Sequence, residues 1–314
     1  MTARSQSRPV LPETLPAPQR TGRGGRRYGW WPWAFVLPNL IGLLVFYIWP
    51  ILWTAYLSFT KTGAFGGQTW IGGANYSTLI ADENVWTALV NTVIYTVIVL
   101  LGVPIAIALA SLINRPGLRF ASFYRVLFFM PYIAMPTAVG LVWRMIYSGD
   151  FGILNWLLSL VHIKGQYWTS TPGFAIVAVG VVGLWSSLGF SIIILSAGLK
   201  NIPIDYYEAA QLDGADRWKQ FISITVPLLT PSIFFVSIIS VIGGFQLFDL
   251  LYVIMGQANP ALNQSQSLVY IFYNQGFIRN DRGYAAAIAM LILVVIGAVT
   301  WLQFRGQKKW VNYV

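Results

Sequence analysis

The sequence contains no cysteine and one histidine, and only 10% of its 314 residues are charged. Without cysteine there are no disulfides, thiolate metal sites, cysteine nucleophiles or iron–sulfur clusters, and His162 cannot form a histidine cluster by itself. Ordinary soluble domains carry about 25% charged residues. The shortage of charge, together with 56% apolar residues, is typical of a membrane protein and excludes a soluble globular enzyme.

Six apolar stretches are long enough to span a membrane as helices, which takes about 20 residues each. Several contain proline, so we expect kinked helices whose freed carbonyl groups are satisfied by neighbouring helices. The sequence therefore predicts an all-α membrane protein with six transmembrane helices. The stretches cover about Trp33–Phe59, Trp86–Ile113, Phe123–Tyr147, Phe174–Leu199, Pro231–Met255 and Tyr284–Phe304.

Basic residues are distributed unevenly over the segments that connect these stretches. The net charge is +10, and most of the 20 Lys and Arg residues lie before the first span, after the second and fourth spans, and at the C-terminus. The positive-inside rule therefore predicts that both termini are cytoplasmic. Because the basic residues are dispersed and not gathered on one face, no nucleic-acid partner is predicted.

Three regions follow from this topology. Residues 1–29 are predicted to be a disordered cytoplasmic tail because they are rich in Pro, Arg and Gly and contain almost no apolar run. Residues 30–306 are the predicted transmembrane domain, and residues 307–314 are a short cytoplasmic C-terminal tail.

The longest cytoplasmic connection, residues 200–230, carries its own local signals. Asp205 and Glu208 favour the start of a helix that runs to about Leu212. Asp213-Gly214 predicts a turn with positive φ at the glycine, and Asp216 can cap a second short helix. This pattern predicts two small helices joined by a glycine elbow, a shape suited to a pocket on a soluble partner.

The same connection resembles the EAA loop of bacterial ABC-importer permeases, which reads EAA, three residues, Gly, about nine residues, then I-x-L-P. This chain has Glu208-Ala209-Ala210, Gly214 and Ile224-Thr225-Val226-Pro227, with Val in place of Leu before the final proline. After the fifth span, relatives commonly have a turn of the T-x-G-G-P type. This chain departs from that pattern, because it has Met255–Pro260 at the same place. Other blocks resemble the maltose and glycerol-3-phosphate branch, namely Leu37–Thr60, Gly72–Tyr76, Phe123–Tyr147, Ala197–Ala215, Phe245–Ile254 and Gly283–Met290.

The resemblance implies a type I ABC-importer permease fold in a bacterial or archaeal plasma membrane. It implies a half-channel that pairs with a second, homologous permease. Two ATP-binding cassette subunits would dock on the cytoplasmic loops, and an extracytoplasmic solute-binding protein would deliver a sugar, a polyol or a glycerophospho compound. The residues implied to couple transport to the ATPase are Tyr207, Glu208, Ala209, Ala210, Asp213 and Gly214.

ATP and magnesium are expected in the partner subunits, and this chain is expected to be no enzyme and to hold no cofactor or metal. The residues agree, because no lysine follows a glycine and a G-x-x-x-x-G-K phosphate loop therefore cannot form. An ion-gradient-driven secondary transporter is the alternative function. Such carriers generally bind their ion with intramembrane carboxylates, and only Asp249 lies within a predicted span.

A substrate cavity is predicted between the fourth and fifth spans, whose equivalents in relatives face the central cavity. A sugar needs an aromatic face and a few hydroxyl or amide partners. The small residues are also spaced for close helix packing, and this alternative stays open. The predicted lining residues are Trp185, Ser187, Phe190, Ser240, Gly244, Gln246 and Leu247.

Apart from Arg125 at the cytoplasmic start of span three, two charged residues lie inside predicted spans. Arg144 and Asp249 are at similar depths near the outer ends of spans three and five. Either charge would be costly alone in the membrane, so we predict a direct or water-bridged ion pair. The alternative is that Arg144 extends to the lipid headgroups while Asp249 caps a broken helix end.

Overall fold

The computed structural model describes residues 30–63, 66–115 and 117–311. The predicted disordered tail, residues 1–29, and the last residues of the predicted C-terminal tail, 312–314, lie outside the described residues. The described part of the chain divides into two compact units, whose boundary lies between Pro50 and Ile51.

In the first unit, helix α1 (Trp31–Leu43) passes through a π-helical turn, Leu44–Ile48, into α2 (Trp49–Leu57), which continues into the second unit. The stretch Trp33–Leu57 has a mean hydropathy of 2.1 and is long enough to cross a membrane. It matches the first predicted span.

The second unit is helical apart from a small hairpin that the sequence did not predict. Its elements in chain order are β1 (Thr60–Thr62), β2 (Gln68–Trp70), α3 (Ala74–Ala81), α4 (Glu83–Leu100), α5 (Gly102–Ile113), α6 (Ala121–Ile133), α7 (Pro136–Ile146), α8 (Ile153–Leu160), α9 (Phe174–Lys200), α10 (Asp205–Leu212), α11 (Arg217–Gln220), α12 (Val226–Leu228), α13 (Thr230–Phe245), α14 (Asp249–Met255), α15 (Leu262–Ser265), α16 (Leu268–Tyr273) and α17 (Arg282–Gln307). The strands pair antiparallel, with Lys61 opposite Thr69.

These helices provide the predicted membrane spans. The stretch Glu83–Ile113, α9 and α17 are each long and apolar enough to cross a membrane, as is the first stretch. Two further spans are bent pairs, α6 with α7 at 95° and Arg217–Leu228 with α13 at 66°. In the described part of the chain this gives six candidate spans when each bent pair counts as one, in agreement with the six that were predicted.

The bend in span three is much sharper than a kink, and proline explains its position. Pro136 occupies the first turn of α7. The ring of a proline disfavours the helical conformation of the residue before it, and Met135 accordingly has φ −57° and ψ 126°. The helix therefore stops before Met135 and restarts in a new direction.

The predicted span Pro231–Met255 is made of two helices. Helix α13 ends at Phe245, and a separate helix, α14, begins at Asp249. Phe248 has φ −142° and ψ −65°, outside the helical region. The carbonyl of Leu247 accepts a hydrogen bond from Ser267 Oγ at 2.6 Å, so a distant side chain satisfies the backbone at the break.

Helix α9 lies at the centre of the packing and contacts α4, α5, α6, α13 and α14. Its small residues allow close approach. A Cβ at Gly189 would collide with the Phe128 carbonyl oxygen, and one at Gly183 would collide with the Tyr95 hydroxyl. Helix packing therefore accounts for part of the small-residue spacing on this helix.

Candidate functional site

Residues 200–230 form a knob of two short helices joined by a glycine elbow, which confirms the predicted local structure. Helix α10 ends at an elbow where Gly214 has φ +74°, a conformation that side chains other than glycine rarely adopt. The amide of Ala215 donates to the Ala210 carbonyl at 2.9 Å across this elbow. Asp216 then caps α11 by accepting a hydrogen bond from the Lys219 amide at 2.8 Å.

Behind the elbow the chain continues as a helix further than the sequence indicated. Helix α11 passes through a π-helical turn, Phe221–Thr225, into α12. Pro227 and Pro231 do not break the chain of helices, because they lie in the first turns of α12 and α13, where a missing amide costs nothing. The knob therefore leads directly into span five.

Most of the predicted coupling residues lie on the outside of the knob. Glu208, Ala209, Asp213 and Gly214 are exposed. Tyr207 and Ala210 are half-buried, and Tyr207 Oη lies 3.0 Å from Thr225 Oγ1, with either atom able to donate. Tyr207 thus attaches α10 to the helix behind it.

The knob also exposes large apolar side chains. Leu212 is 90% exposed, Trp218 is 67% exposed and Ile204 is 64% exposed. Trp218 stacks on Phe221 with ring centroids 5.8 Å apart. Together with neighbouring charged residues they form a mixed apolar and charged surface of the kind that marks protein interaction sites.

A cavity of about 360 Å³ lies within the second unit, between α4, α9, α13 and the bend of α6 and α7. Its position between spans four and five is the predicted one. The lining residues are Tyr95, Val99, Pro131, Tyr132, Ala134, Pro136, Val139, Gly183, Ser186, Ser187, Phe190, Ser191, Ile239, Ser240, Gly243, Gly244 and Leu250.

The structure brings together four of the seven predicted cavity residues, namely Ser187, Phe190, Ser240 and Gly244. The other three lie elsewhere. Trp185 packs edge-on against Trp143 with centroids 5.5 Å apart. Gln246 is exposed at the end of α13, and Leu247 is 4% exposed within a core cluster. Both follow the last turn of α13 and therefore leave the face that lines the cavity.

No direct ion pair joins Arg144 and Asp249 among the described residues. The Arg144 guanidinium lies beside Gly256, with Nη1 3.2 Å from where a Cβ would be. Gly256 follows the last residue of α14, whereas Asp249 is its first residue. At 1.5 Å per residue the two positions are about 10 Å apart. Asp249 instead places its charge in the first turn of α14, where the helix dipole favours it.

Sequence reasoning missed the contributions of α4 and of the bend in span three to the cavity. Tyr95 comes from α4, and Tyr132 comes from the last turn of α6. Pro131 and Pro136 indicated a kink in span three, but they did not indicate that the residues at the kink would line a cavity together with α9. Nothing local in the sequence places Tyr95 opposite Gly183, because the contact joins helices 88 residues apart in the chain.

The fold and these sites can be compared with known proteins. Residues 98–310 match the family described as "Binding-protein-dependent transport system inner membrane component". The chain belongs to this family. The match confirms the resemblance seen in the sequence and decides against the ion-gradient-driven alternative.

Curated relatives cover nearly the whole chain. The probable ABC transporter permease protein YesP of Bacillus subtilis is 36% identical over 90% of this chain and 91% of its own length. The arabinooligosaccharides transport system permease protein AraP of the same species is 32% identical over 87% of each chain. The sn-glycerol-3-phosphate transport system permease protein UgpA of Agrobacterium fabrum is 31% identical over 90% of this chain and 96% of its own.

A solved structure agrees in fold. A bacterial ABC transporter involved in the import of the acidic polysaccharide alginate contains a chain with a TM-score of 0.79 and 23% identity, covering 90% of this chain and 96% of that one. The chain is therefore a multi-pass permease subunit of an ABC transporter with the type I permease fold.

Proposed function

We propose that this permease forms half of the translocation pathway of an ATP-driven importer for a sugar or a related polyol or glycerophospho compound. The observation that carries the proposal is the knob with its glycine elbow and exposed Leu212 and Trp218. Large apolar side chains on a polar cytoplasmic loop are suited to a cleft in a soluble subunit. The names of the curated relatives support a substrate of this kind.

In this proposal an ATP-binding cassette subunit receives α10, with the exposed Glu208 making a charged contact in the cleft. ATP and magnesium are bound and used in that subunit. The knob lies between the cytoplasmic end of α9 and the helix that leads into α13. Both α9 and α13 line the cavity. Displacement of the knob would therefore move two cavity walls and bias the cavity towards one side of the membrane.

The complete importer would contain a second homologous permease, two cassette subunits and an extracytoplasmic solute-binding protein, assembled in the plasma membrane of a bacterium or archaeon. The family description, which names binding-protein-dependent transport, supports the last of these partners.

The test is to replace Gly214 by Val in the whole transporter, produced together with the products of its neighbouring genes. A β-branched side chain is strained at φ +74°, so the elbow should change shape while the spans still insert. We expect loss of ATP-dependent uptake or of co-purifying cassette subunit. Glu208→Ala should weaken the same contact to a smaller extent.

Gly214→Asn is the matched control, because asparagine tolerates positive φ. It should retain more uptake than Gly214→Val, since no neighbouring atom lies within 4 Å of a Cβ there. Wild-type transport by both Gly214→Val and Glu208→Ala would contradict the assignment of the knob to coupling.

A further inference from the structure

The cavity contains only neutral groups. None of its described lining residues is charged, and their polar atoms are hydroxyls and backbone groups. Asp249 directly precedes the lining residue Leu250 and is exposed. An anion entering this cavity would lose its hydration without gaining a cationic partner from this chain, and such an uncompensated charge is costly in a low-dielectric site.

One hydroxyl in the cavity wall lacks a protein partner although its residue is deeply buried. Tyr95 is 6% exposed, and its hydroxyl makes no hydrogen bond to any described residue. It reaches α9 only because Gly183 lacks a side chain, since a Cβ there would collide with Tyr95 Oη. A buried phenol that faces a cavity without a partner is a donor and acceptor available to a ligand.

Ser240 on α13 provides a second such group. It lines the cavity, is half-buried and makes no hydrogen bond to any described residue. The serines of α9 differ, because Ser187 Oγ donates to the Leu184 carbonyl at 2.9 Å, Ser191 Oγ donates to the Ser187 carbonyl at 3.2 Å, and Ser186 Oγ is buried out of reach of a ligand. The hydroxyls of described lining residues that lack a protein partner and are not fully buried are therefore those of Tyr95, Tyr132 and Ser240.

The aromatic surface of the cavity lies where the bend in span three meets α9. Tyr132 stacks on two rings, Phe129 with centroids 5.6 Å apart and Phe190 with centroids 5.3 Å apart. Phe190 has no other ring contact among the described residues, is half-buried and lines the cavity. The ring face that remains available in this stack therefore belongs to Phe190, as the sequence suggested.

We propose that this cavity binds an uncharged sugar ring and discriminates against phosphorylated or carboxylated substrates. Ring hydroxyls pair with Tyr95 Oη and Ser240 Oγ, and the apolar face of the ring lies on Phe190. This inference rests on the proposed import function and names its substrate class. Family membership does not decide it, because the relatives are named for both neutral oligosaccharides and a phosphate ester.

The test uses the purified whole transporter in lipid nanodiscs and pairs of probes that differ only in charge: methyl glucoside and methyl galactoside, each with its uronate counterpart. Equilibrium binding is measured by saturation-transfer NMR. We expect at least one neutral glycoside to bind at least tenfold more tightly than its uronate. Tyr95→Phe, which retains the ring and removes only Oη, should weaken binding of the neutral glycoside about 2- to 10-fold.

Tyr147→Phe is the matched control. Tyr147 is also buried, but its hydroxyl donates to the Ala178 carbonyl at 3.1 Å and it does not line the cavity. Its glycoside affinity should equal that of the wild type. Equal or tighter binding of the uronates, no binding of either neutral glycoside, or an unchanged affinity in Tyr95→Phe would overturn the inference. Co-purifying cassette subunit and ATP-dependent uptake, measured on the same transporter, report separately on the proposed function.

Discussion

The knob of residues 200–230 and the break between α13 and α14 both interrupt a helix, but different kinds of contact stabilise them. At the knob, the cap at Asp216 and the elbow at Gly214 are made by residues three to five positions apart. At the break, the Leu247 carbonyl is satisfied by Ser267, twenty positions further along the chain. The knob is therefore a local structure, whereas the break depends on tertiary packing.

The surroundings of the two interruptions differ in the same way. The knob is largely exposed, and helix α10 contains no buried residue. Ser267 is 0% exposed, and the segment that contains it is held against α4, where Asn91 Nδ2 donates to the Gln264 and Gln266 carbonyls at 2.8 and 3.1 Å. Because the knob is exposed and is formed by local contacts, it can bind a partner without rearranging. The break between α13 and α14 is stabilised by side chains from distant parts of the chain, and it therefore fixes the shape of the cavity wall.

The largest expected effect is at the break. Ser267 Oγ donates to the Leu247 carbonyl and also accepts from the Tyr270 amide, which caps α16. Ser267→Ala leaves a buried carbonyl unpaired and removes a helix cap, at a cost of about 2–4 kcal/mol. Thermal unfolding of the detergent-solubilised transporter should show this loss.

The control for that change is Ser77→Ala. Ser77 Oγ donates to the Ala74 carbonyl at the exposed surface of α3, so its removal should cost little. If Ser267→Ala were no more destabilising than Ser77→Ala, the break would have to be stabilised locally, as the knob is.

A loss of stability of intermediate size is expected at a glycine in the helix packing, and it distinguishes tertiary from local constraints. Gly183 has helical φ but no room for a side chain beside Tyr95, whereas Gly214 has ample room but positive φ. Gly183→Ala overpacks the contact between α4 and α9, which typically costs about 1–3 kcal/mol. Gly243→Ala, at another cavity position with nothing within 4 Å of a Cβ, should be close to neutral in the same unfolding assay. Equal stabilities of these two variants would contradict the close contact at Gly183.

A smaller effect is expected at the cap of the knob. Asp216→Ala removes the acceptor for the Lys219 amide and should cost about 1 kcal/mol. Because the contact is local, faster amide exchange should be confined to α11 and the elbow. Asp205→Ala, which removes a first-turn charge from α10, should leave exchange in α11 unchanged. Increased exchange that extended into α13 would show that the knob is coupled to the spans more strongly than its contacts indicate.

The same distinction explains what the sequence could predict. The knob followed from Gly214, Asp216 and the flanking polar residues because those signals act over a few positions. The six spans followed from hydropathy. The break at Leu247 and the placement of Tyr95 could not be predicted, since both depend on side chains far away in the chain. The pairing of Arg144 with Asp249 was derived from depth alone, and depth does not specify which end of α14 faces Arg144.

The smallest expected effect concerns a second aspartate cap, which combines both kinds of contact. Asp82 accepts from the Asn84 amide at 3.0 Å, as a local cap does, and also from Tyr284 Oη at 2.8 Å across 202 positions. Burial opposes ionisation of Asp82, but the hydrogen bonds from Tyr284 and Asn84 hold its pKa below the ordinary value of 3.8. Because the folded-state pKa is lowered, the stabilisation is present above 3.8 and is lost as the pH falls through the lower, folded-state value.

Asp82 is only partly buried, so we expect ionisation of this cap to contribute less than about 1 kcal/mol to the free energy of unfolding. Unfolding of the solubilised transporter should show a loss of stability as the pH falls below 3.8 that is smaller in Tyr284→Phe. Tyr76→Phe, which removes a phenol hydroxyl that pairs with Ser58, should retain the wild-type pH dependence, and an equal loss in Tyr284→Phe and wild type would show that the long-range bond does not stabilise the ionised cap.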